Sequence, residues 1–257
     1  MTSALLLGTG YTGAVTAAAL RRDGHRVMTT SREPRSPDVI RFVLDDASTW
    51  DALPPAEACV WLFPAEPLPL VRDFARRVRP RFASLVVIGT TSSYLPDGTG
   101  AVVDETSRRD PHSERVEGEE ALREAGAIVL RSAGIYGPAL PPLHARNPLD
   151  WLRRGLIRDG DRIVNLIHVE DLALAIVAAL RSPAPGEDCI VADGHPRAWK
   201  EIAAWGHARG YLPEPGLPGK GGEGSKRLAT AKLHRLFAPA FVHGDLWKEL
   251  ASLEGER

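Results

Sequence analysis

Residues 4–20 constrain the chain more than any other stretch. Ala4-Leu5-Leu6-Leu7 reads as a short apolar strand, Gly8-Thr9-Gly10-Tyr11-Thr12-Gly13 as a G-x-G-x-x-G turn, and the alanine-rich run to Leu20 as a helix. In that arrangement Gly8 permits a tight turn, Gly10 lets the backbone approach a diphosphate, and Gly13 lets the helix pack on the strand. The free N–H groups and dipole of the helix start then face an anion. With 24 glycines in 257 residues, roughly 0.2 such matches arise by chance anywhere in the chain. Placement between an apolar strand and a helix raises the motif well above that background, and the turn reads as a nucleotide-binding one.

The rest of the chain sets the frame for this turn. A turn, strand and loop over 23–32 and strand-like runs at residues 39–44, 58–63, 82–88 and 128–131 alternate with helical patterns at 70–78 and 114–125, with a further helix starting near Ser48. That alternation predicts right-handed crossovers and an α/β fold with a doubly wound parallel sheet. The run 58–63 is continuously apolar, as a central parallel strand buried on both faces is. From Ser132 prolines and arginines crowd the chain to Arg158. Residues 163–169 and the apolar helix 172–180 return to the core, followed by a strand at 189–191 and a helix at 199–208. A Pro/Gly stretch at 213–224 has little to make it rigid, and residues 226–237 read as one basic amphipathic segment. The expectation is one Rossmann-type domain over 1–257, with a small C-terminal substrate lobe built from about 132–158 and 196–257.

Composition excludes several function classes. Charges nearly cancel, 32 basic against 33 acidic, which leaves no electrostatic footprint for nucleic acid. The longest uncharged apolar run, 172–180, is too short to span a bilayer, and no leader-like segment precedes the first strand. Cys59 and Cys189 stand far apart with no C-x-x-C or Cys/His cluster. They read as small buried hydrophobes of a cytoplasmic protein without a metal centre. Nothing in the sequence speaks to oligomeric state.

The end of the second strand carries the coenzyme choice. There an acid would bind the 2′-hydroxyl of NAD, whereas a cation accommodates the 2′-phosphate of NADP. The chain offers Ser31-Arg32, with Arg35 just beyond. NADP is therefore expected, with NAD the alternative. At the end of the third strand, Asp45-Asp46 either meets the adenine amino group or caps the helix near Ser48.

Four stretches together resemble the NAD(P)-dependent epimerase/dehydratase branch of the short-chain dehydrogenase/reductase superfamily. They are the glycine turn; Thr91-Ser92-Ser93-Tyr94 with Val103-Asp104-Glu105-Thr106; Leu130-Arg131-Ser132-Ala133-Gly134-Ile135-Tyr136-Gly137-Pro138; and Asn165-Leu166-Ile167-His168-Val169-Glu170-Asp171-Leu172-Ala173. The resemblance implies coenzyme contacts at Gly8, Gly10, Tyr11, Thr12, Gly13, Ser31, Arg32, Asp45, Leu62, Phe63, Thr90 and Ala133. It also implies a substrate-binding hydroxyl from Thr91 or Ser92, with Tyr94 a replacement phenol if it turns inward. Tyr136 is expected to pack along the substrate cleft, His168 to be structural, and Asp171 to cap the following helix.

One departure from the family pattern stands out. Active members carry a Tyr-x-x-x-Lys pair in which the lysine lowers the phenol pKa for proton exchange. The tyrosines of this chain, at 11, 94, 136 and 211, all lack a lysine four residues on; alignment puts Arg115 and Glu119 at the two positions. Guanidinium stays protonated and cannot relay a proton. The reading is an NADP-dependent oxidoreductase or epimerase acting on a small polar substrate; the alternative is a non-catalytic NADP-binding sensor or regulatory protein.

Overall fold

A computed structural model describes residues 2–182, 184–214 and 216–255; Met1, Pro183, Pro215, Glu256 and Arg257, which the expected domain and lobe limits include, lie outside the described residues. The chain runs β1 (Ser3–Leu7), α1 (Tyr11–Arg22), β2 (Arg26–Ser31), β3 (Val39–Arg41), α2 (Ser48–Asp51), β4 (Ala58–Trp61), α3 (Leu68–Arg77), β5 (Ser84–Thr90), β6 (Ala101–Val103), α4 (Glu114–Glu124) and β7 (Ile128–Ser132). Next come β8 (Gly134–Tyr136), α5 (Pro148–Arg153), β9 (Ile163–Val164), β10 (Leu166–His168), α6 (Val169–Arg181) and β11 (Asp188–Val191). The described chain closes with β12 (Arg197–Ala198), α7 (Trp199–Ala208), β13 (Lys226–Leu228), α8 (Ala231–Leu236) and α9 (Leu246–Gly255).

Seven of these strands form one parallel sheet in the order β11-β7-β5-β4-β1-β2-β3. The chain builds outward from β1 through β2 to β3, then crosses to β4 and builds the other way. This reversal opens a crevice at the carboxyl ends of β1 and β4, where open α/β sheets hold their ligands. The fold is the expected doubly wound α/β sheet.

The apolar strands divide their side chains between two cores. Leu5, Leu7, Cys59, Trp61 and Val87 face Val71 and Phe74 of α3 and Leu122 of α4. Their neighbours Leu6, Val60, Val86 and Ile88 face Val15 and Leu20 of α1 and Leu172 and Ile176 of α6. Because both faces are covered, β1 and β4 are apolar at nearly every position and no alternation shows in them. A third core joins Tyr136, Leu149, Trp199, Ile202 and Leu250 from segments after β7.

Several local expectations change. The third strand ends at Arg41 rather than Leu44, because Asp46 turns the chain into α2: its carboxylate accepts from the Ser48 backbone N–H at 3.2 Å and the Ser48 hydroxyl at 2.6 Å. Residues 226–237 are not one segment. β13 pairs in parallel with β6, a long-range contact invisible to local pattern, and only then does α8 begin. The stretch 213–224 is not loose where it passes residues 159–161. Asp159 accepts from the N–H groups of Lys220 (2.8 Å) and Gly222 (2.9 Å), and Asp161 accepts from that of Gly221 (3.2 Å). α9 adds a helix whose Leu246, Leu250 and Leu253 are buried along one face.

Candidate coenzyme and substrate site

The glycine turn has the geometry its spacing implies. Gly8 sits at φ +97°, a backbone region that side chains rarely adopt. A Cβ on Gly13 would stand 2.4 Å from the Gly8 carbonyl oxygen, so only glycine lets α1 approach β1 this closely. A Cβ on Gly10 would meet no atom within 4 Å and would point into open space. Thr30 of β2 fixes the turn: its hydroxyl accepts from the Gly8 N–H at 3.1 Å, and its carbonyl accepts from the Thr9 N–H at 2.9 Å. Gly10 is the N-cap of α1 and supplies no capping side chain. The first N–H groups of the helix are thus left for an anion.

A cavity of about 690 Å³ lies along this turn. Gly8, Gly10, Ser31, Arg32, Asp45, Leu62 and Phe63 all line it, so seven of the residues named from sequence share one wall system. Asp45 lines the cavity, whereas Asp46, just before the Ala47 N-cap of α2, accepts from Ser48 and pairs with Arg41 at 2.8 Å. The Ser31 hydroxyl is occupied locally by the Glu33 backbone, at 3.2 Å. The volume and the open space above Gly10 fit a dinucleotide; Glu66, Pro67 and Leu70 complete the far wall, a contribution that no motif signals.

A smaller hollow of about 280 Å³ adjoins the first, sharing Leu62, Phe63 and Pro64 with it. Thr12, Thr90 and Ala133 line it, at the carboxyl ends of β5 and β7. Tyr11 is buried beside it, its hydroxyl donating to the Pro138 carbonyl at 2.9 Å, and burial, opposed by Arg146, raises its pKa to about 12.

The hydroxyl loop after β5 is less available than its composition suggests. The Thr91 side chain is buried and donates to the Ser132 carbonyl at 3.1 Å. Ser92 is exposed and shares a 2.7 Å hydrogen bond with the Thr90 hydroxyl. Tyr94 does not turn inward to either hollow: it is 1% exposed in the core and its hydroxyl has no partner among the described residues. Burial, only partly opposed by Arg131, pushes its pKa up to about 12. Lys226 donates to the Tyr94 backbone carbonyl, and burial, reinforced by Arg162, lowers the ammonium pKa to about 8.

Arg115 and Glu119 occupy α4, one turn apart, and belong to an ion-pair network. Glu119 is fully buried and accepts from the Thr90 N–H (3.1 Å), from Arg115 Nε (3.1 Å) and from Arg131 Nε (3.2 Å). Burial nevertheless raises its pKa above the ordinary carboxyl value, with Arg131 and Arg115 opposing. Gly89 makes room for it, since a Cβ there would lie 2.6 Å from Glu119 Oε2. Arg131, also fully buried, continues the network to Glu120 and Asp188. Glu119 thus anchors the end of β5 to α4, and Arg115 lines the smaller hollow.

The histidine motif is structural, with one correction. His168, not Asp171, is the N-cap of α6; its Nδ1 accepts from the Glu170 N–H at 3.3 Å. Asp171 lies within the helix and receives the N–H groups of Val242 (2.8 Å) and His243 (3.1 Å), tying down the segment before α9. Tyr136 is fully buried as a packing residue of the third core and lines neither hollow. His168, His243 and Glu249 bring potential ligand atoms within 4.8 Å of one another. His168 Nδ1 is committed to the cap, and the His243 nitrogens lie 3.1 Å from Glu170 and Glu249. No helix among the described residues is long and apolar enough to cross a membrane.

Known proteins place this geometry in context. No family model matches the chain. Protein YeeZ of Escherichia coli (strain K12) is 30% identical over 167 residues, and the match spans 59% of this chain but only 58% of that relative's length. Among solved structures, a protein from Methylobacillus flagellatus assigned as an NAD-dependent epimerase/dehydratase superposes with a TM-score of 0.81 at 20% identity, covering 99% of this chain and 98% of that one. MoeE5, solved in complex with UDP-glucuronic acid and NAD, superposes with a TM-score of 0.78 at 17% identity, covering 99% of each chain. With its seven-stranded parallel sheet, glycine turn and switch-point cavity, the chain has the fold of the NAD-dependent epimerase/dehydratases.

Proposed function

We propose that the chain binds a nicotinamide dinucleotide, NADP in preference to NAD, and performs oxidoreductase or epimerase chemistry on a small polar substrate. The observation that carries this reading is the 690 Å³ cavity running from the glycine turn to the carboxyl ends of the strands. Gly8 and Gly10 line it at the diphosphate position, and Tyr11, Thr12 and Gly13 form the α1 N-terminus behind them that would face the diphosphate. Arg32, with Ser31 beside it, meets the 2′-phosphate, and Asp45 meets the adenine edge. Leu62 and Phe63 flank the passage into the smaller hollow, where Thr90 and Ala133 face the reactive ring. When bound, the nicotinamide supplies a hydride donor or acceptor.

The chain's own groups then orient the substrate. The Thr90–Ser92 hydroxyl pair offers a hydrogen-bond donor for a substrate oxygen; Thr91 keeps its donor for Ser132. The hollow beside Thr90 and Ala133 measures about 280 Å³, which suits a small substrate. Two reduced, buried cysteines suit the cytoplasm. A second reading, coenzyme binding without turnover as a sensor or regulator, is favoured by two observations: Glu119 is locked in a buried ion network, and Tyr94 is shut in the core.

The deciding experiment titrates NADPH and NADH separately, reading tryptophan fluorescence. Trp61 stacks on the cavity residue Phe63 with ring centroids 4.4 Å apart and serves as reporter. Carbonyl substrates are then screened for oxidation of the bound coenzyme. Arg32→Asp should weaken NADPH by at least about tenfold while leaving NADH within about twofold. Equal effects on both would remove the NADP assignment; binding with no turnover across the panel would move the conclusion to the second reading.

A further inference from the structure

The smaller hollow has an unusual charge pattern. Among the described residues that line it, two are charged, and both are arginines: Arg115 from α4 and Arg146 from the segment before α5; none is a carboxylate.

Arg146 forms no ion pair among the described residues. Its guanidinium lies over the Tyr11 ring, 4.9 Å from the centroid, and its backbone is bridged to Gly137 by a pair of 3.0 Å hydrogen bonds. The residue is therefore held in place without its charge being neutralised. Arg115 gives Nε to Glu119, but its two terminal nitrogens make no hydrogen bond among the described residues. Glu119 also receives the fully buried Arg131, which Glu120 and Asp188 answer in turn, so Arg115 keeps one buried partner at Nε and turns its terminal nitrogens elsewhere. Leu62, Ile88 and Ile135 supply apolar wall. Like charges beside low-dielectric walls raise the local potential and draw in an anion. A planar guanidinium offers paired donors that match a carboxylate or a phosphate.

We propose that this hollow is an oxyanion subsite: Arg115 and Arg146 together hold a carboxylate or phosphate group of the substrate, next to the reactive end of the dinucleotide. The inference rests on the proposed coenzyme reading for its position but not for its chemistry. On this view Arg115, at the position where related enzymes carry a phenol, is a substrate-charge receptor, and the substrate is a small anionic carbonyl or hydroxyl compound.

The test is calorimetric. Oxalate and inorganic phosphate are titrated separately into the full chain saturated with NADPH, for the unaltered protein, Arg146→Gln and Arg115→Gln. Binding of at least one anion is expected, weakened by about tenfold or more in either variant, with coenzyme affinity unchanged within about twofold. The stronger of the two probes says whether the group is a carboxylate or a phosphate. Arg146 is exposed, so its replacement leaves folding intact even if Arg115→Gln disturbs Glu119. Absence of anion binding, or binding indifferent to both variants, overturns the inference. Parallel loss of coenzyme affinity also overturns it, because the arginines would then serve the coenzyme's own phosphates. If neither nucleotide binds the unaltered protein, the coenzyme reading fails by itself. The same anion titrations on the free chain then decide the subsite: Arg146-dependent binding supports it, and no binding overturns it.

Discussion

Arg131 and Glu119 face each other at 3.2 Å, and neither side chain has any solvent exposure. A buried pair of this kind contributes little over an apolar replacement of both partners, but breaking it leaves an uncompensated charge in the core. Arg131→Met removes the cation that Glu119, Glu120 and Asp188 share. It should destabilise the chain by about 3–5 kcal/mol, measured as a loss of urea midpoint at constant m-value. A loss below about 1 kcal/mol would mean that water already reaches the network.

Two glycines in the same turn should respond in opposite ways. Gly10→Ala places its methyl in open space, at a φ of −87° that alanine adopts freely. The melting temperature should hardly change, while nucleotide affinity falls by at least about tenfold because the methyl occupies the diphosphate's approach. Gly13→Ala drives a methyl to 2.4 Å from the Gly8 carbonyl. It should cost about 1–3 kcal/mol of stability and lose binding with it. Thermal melts and nucleotide titrations of both variants separate the two effects.

The fold was legible in the chain because its signals are local. Leu5–Leu7, Cys59–Trp61 and Val86–Ile88 are continuous apolar runs, which only a sheet covered on both faces explains. The cavity wall was equally legible at Gly8, Gly10 and Arg32, each directly after a strand or at the start of a helix, and at Asp45 in the turn between β3 and α2. Three things were not. The β6–β13 pairing joins segments more than a hundred residues apart and leaves no periodic trace. Asp171 has the sequence position of a cap, but its carboxylate is taken by the backbone of Val242 and His243, which only the folded chain brings near. Tyr94 has the composition of a catalytic loop residue, yet the turn of the chain aims its ring at Arg131 and the core. Side-chain direction at a loop is a tertiary property.

His168 makes stability fall in acid. Burial, reinforced by the neighbouring His243, depresses its pKa from 6.5 to about 4. The unfolded chain therefore binds more protons than the folded one between those values, and stability present above pH 6.5 is lost as the pH falls toward 4, by up to about 3 kcal/mol. His243 acts with the opposite sign: burial works against its charged form, but Glu170 and Glu249 outweigh it and raise its pKa. Its contribution is present below pH 6.5 and fades as the pH rises through the folded value. His168→Asn keeps a capping side chain for α6 and removes the acid titration. Urea unfolding between pH 4.5 and 7.5 should give a flatter acid limb for the variant; an unchanged slope would assign the acid sensitivity to other groups.

Tyr94 offers the sharpest test of whether the loop after β5 carries a phenol for proton transfer. Its hydroxyl is buried without a partner among the described residues, and its pKa of about 12 keeps it protonated at neutral pH. Removing that hydroxyl deletes no hydrogen bond and relieves an unpaired polar group, while the phenyl ring keeps its contact with Arg131, 5.9 Å from the ring centroid. Tyr94→Phe should therefore be neutral or stabilising, by no more than about 1 kcal/mol, with nucleotide affinity and any turnover unchanged. Ser92→Ala, by contrast, removes a hydroxyl that is exposed beside Thr90 and should weaken substrate binding without altering the melting temperature. Should Tyr94→Phe abolish turnover while Ser92→Ala leaves it intact, the phenol must swing out of the core during catalysis, and the hydroxyl pair at Thr90 and Ser92 would lose its assigned part.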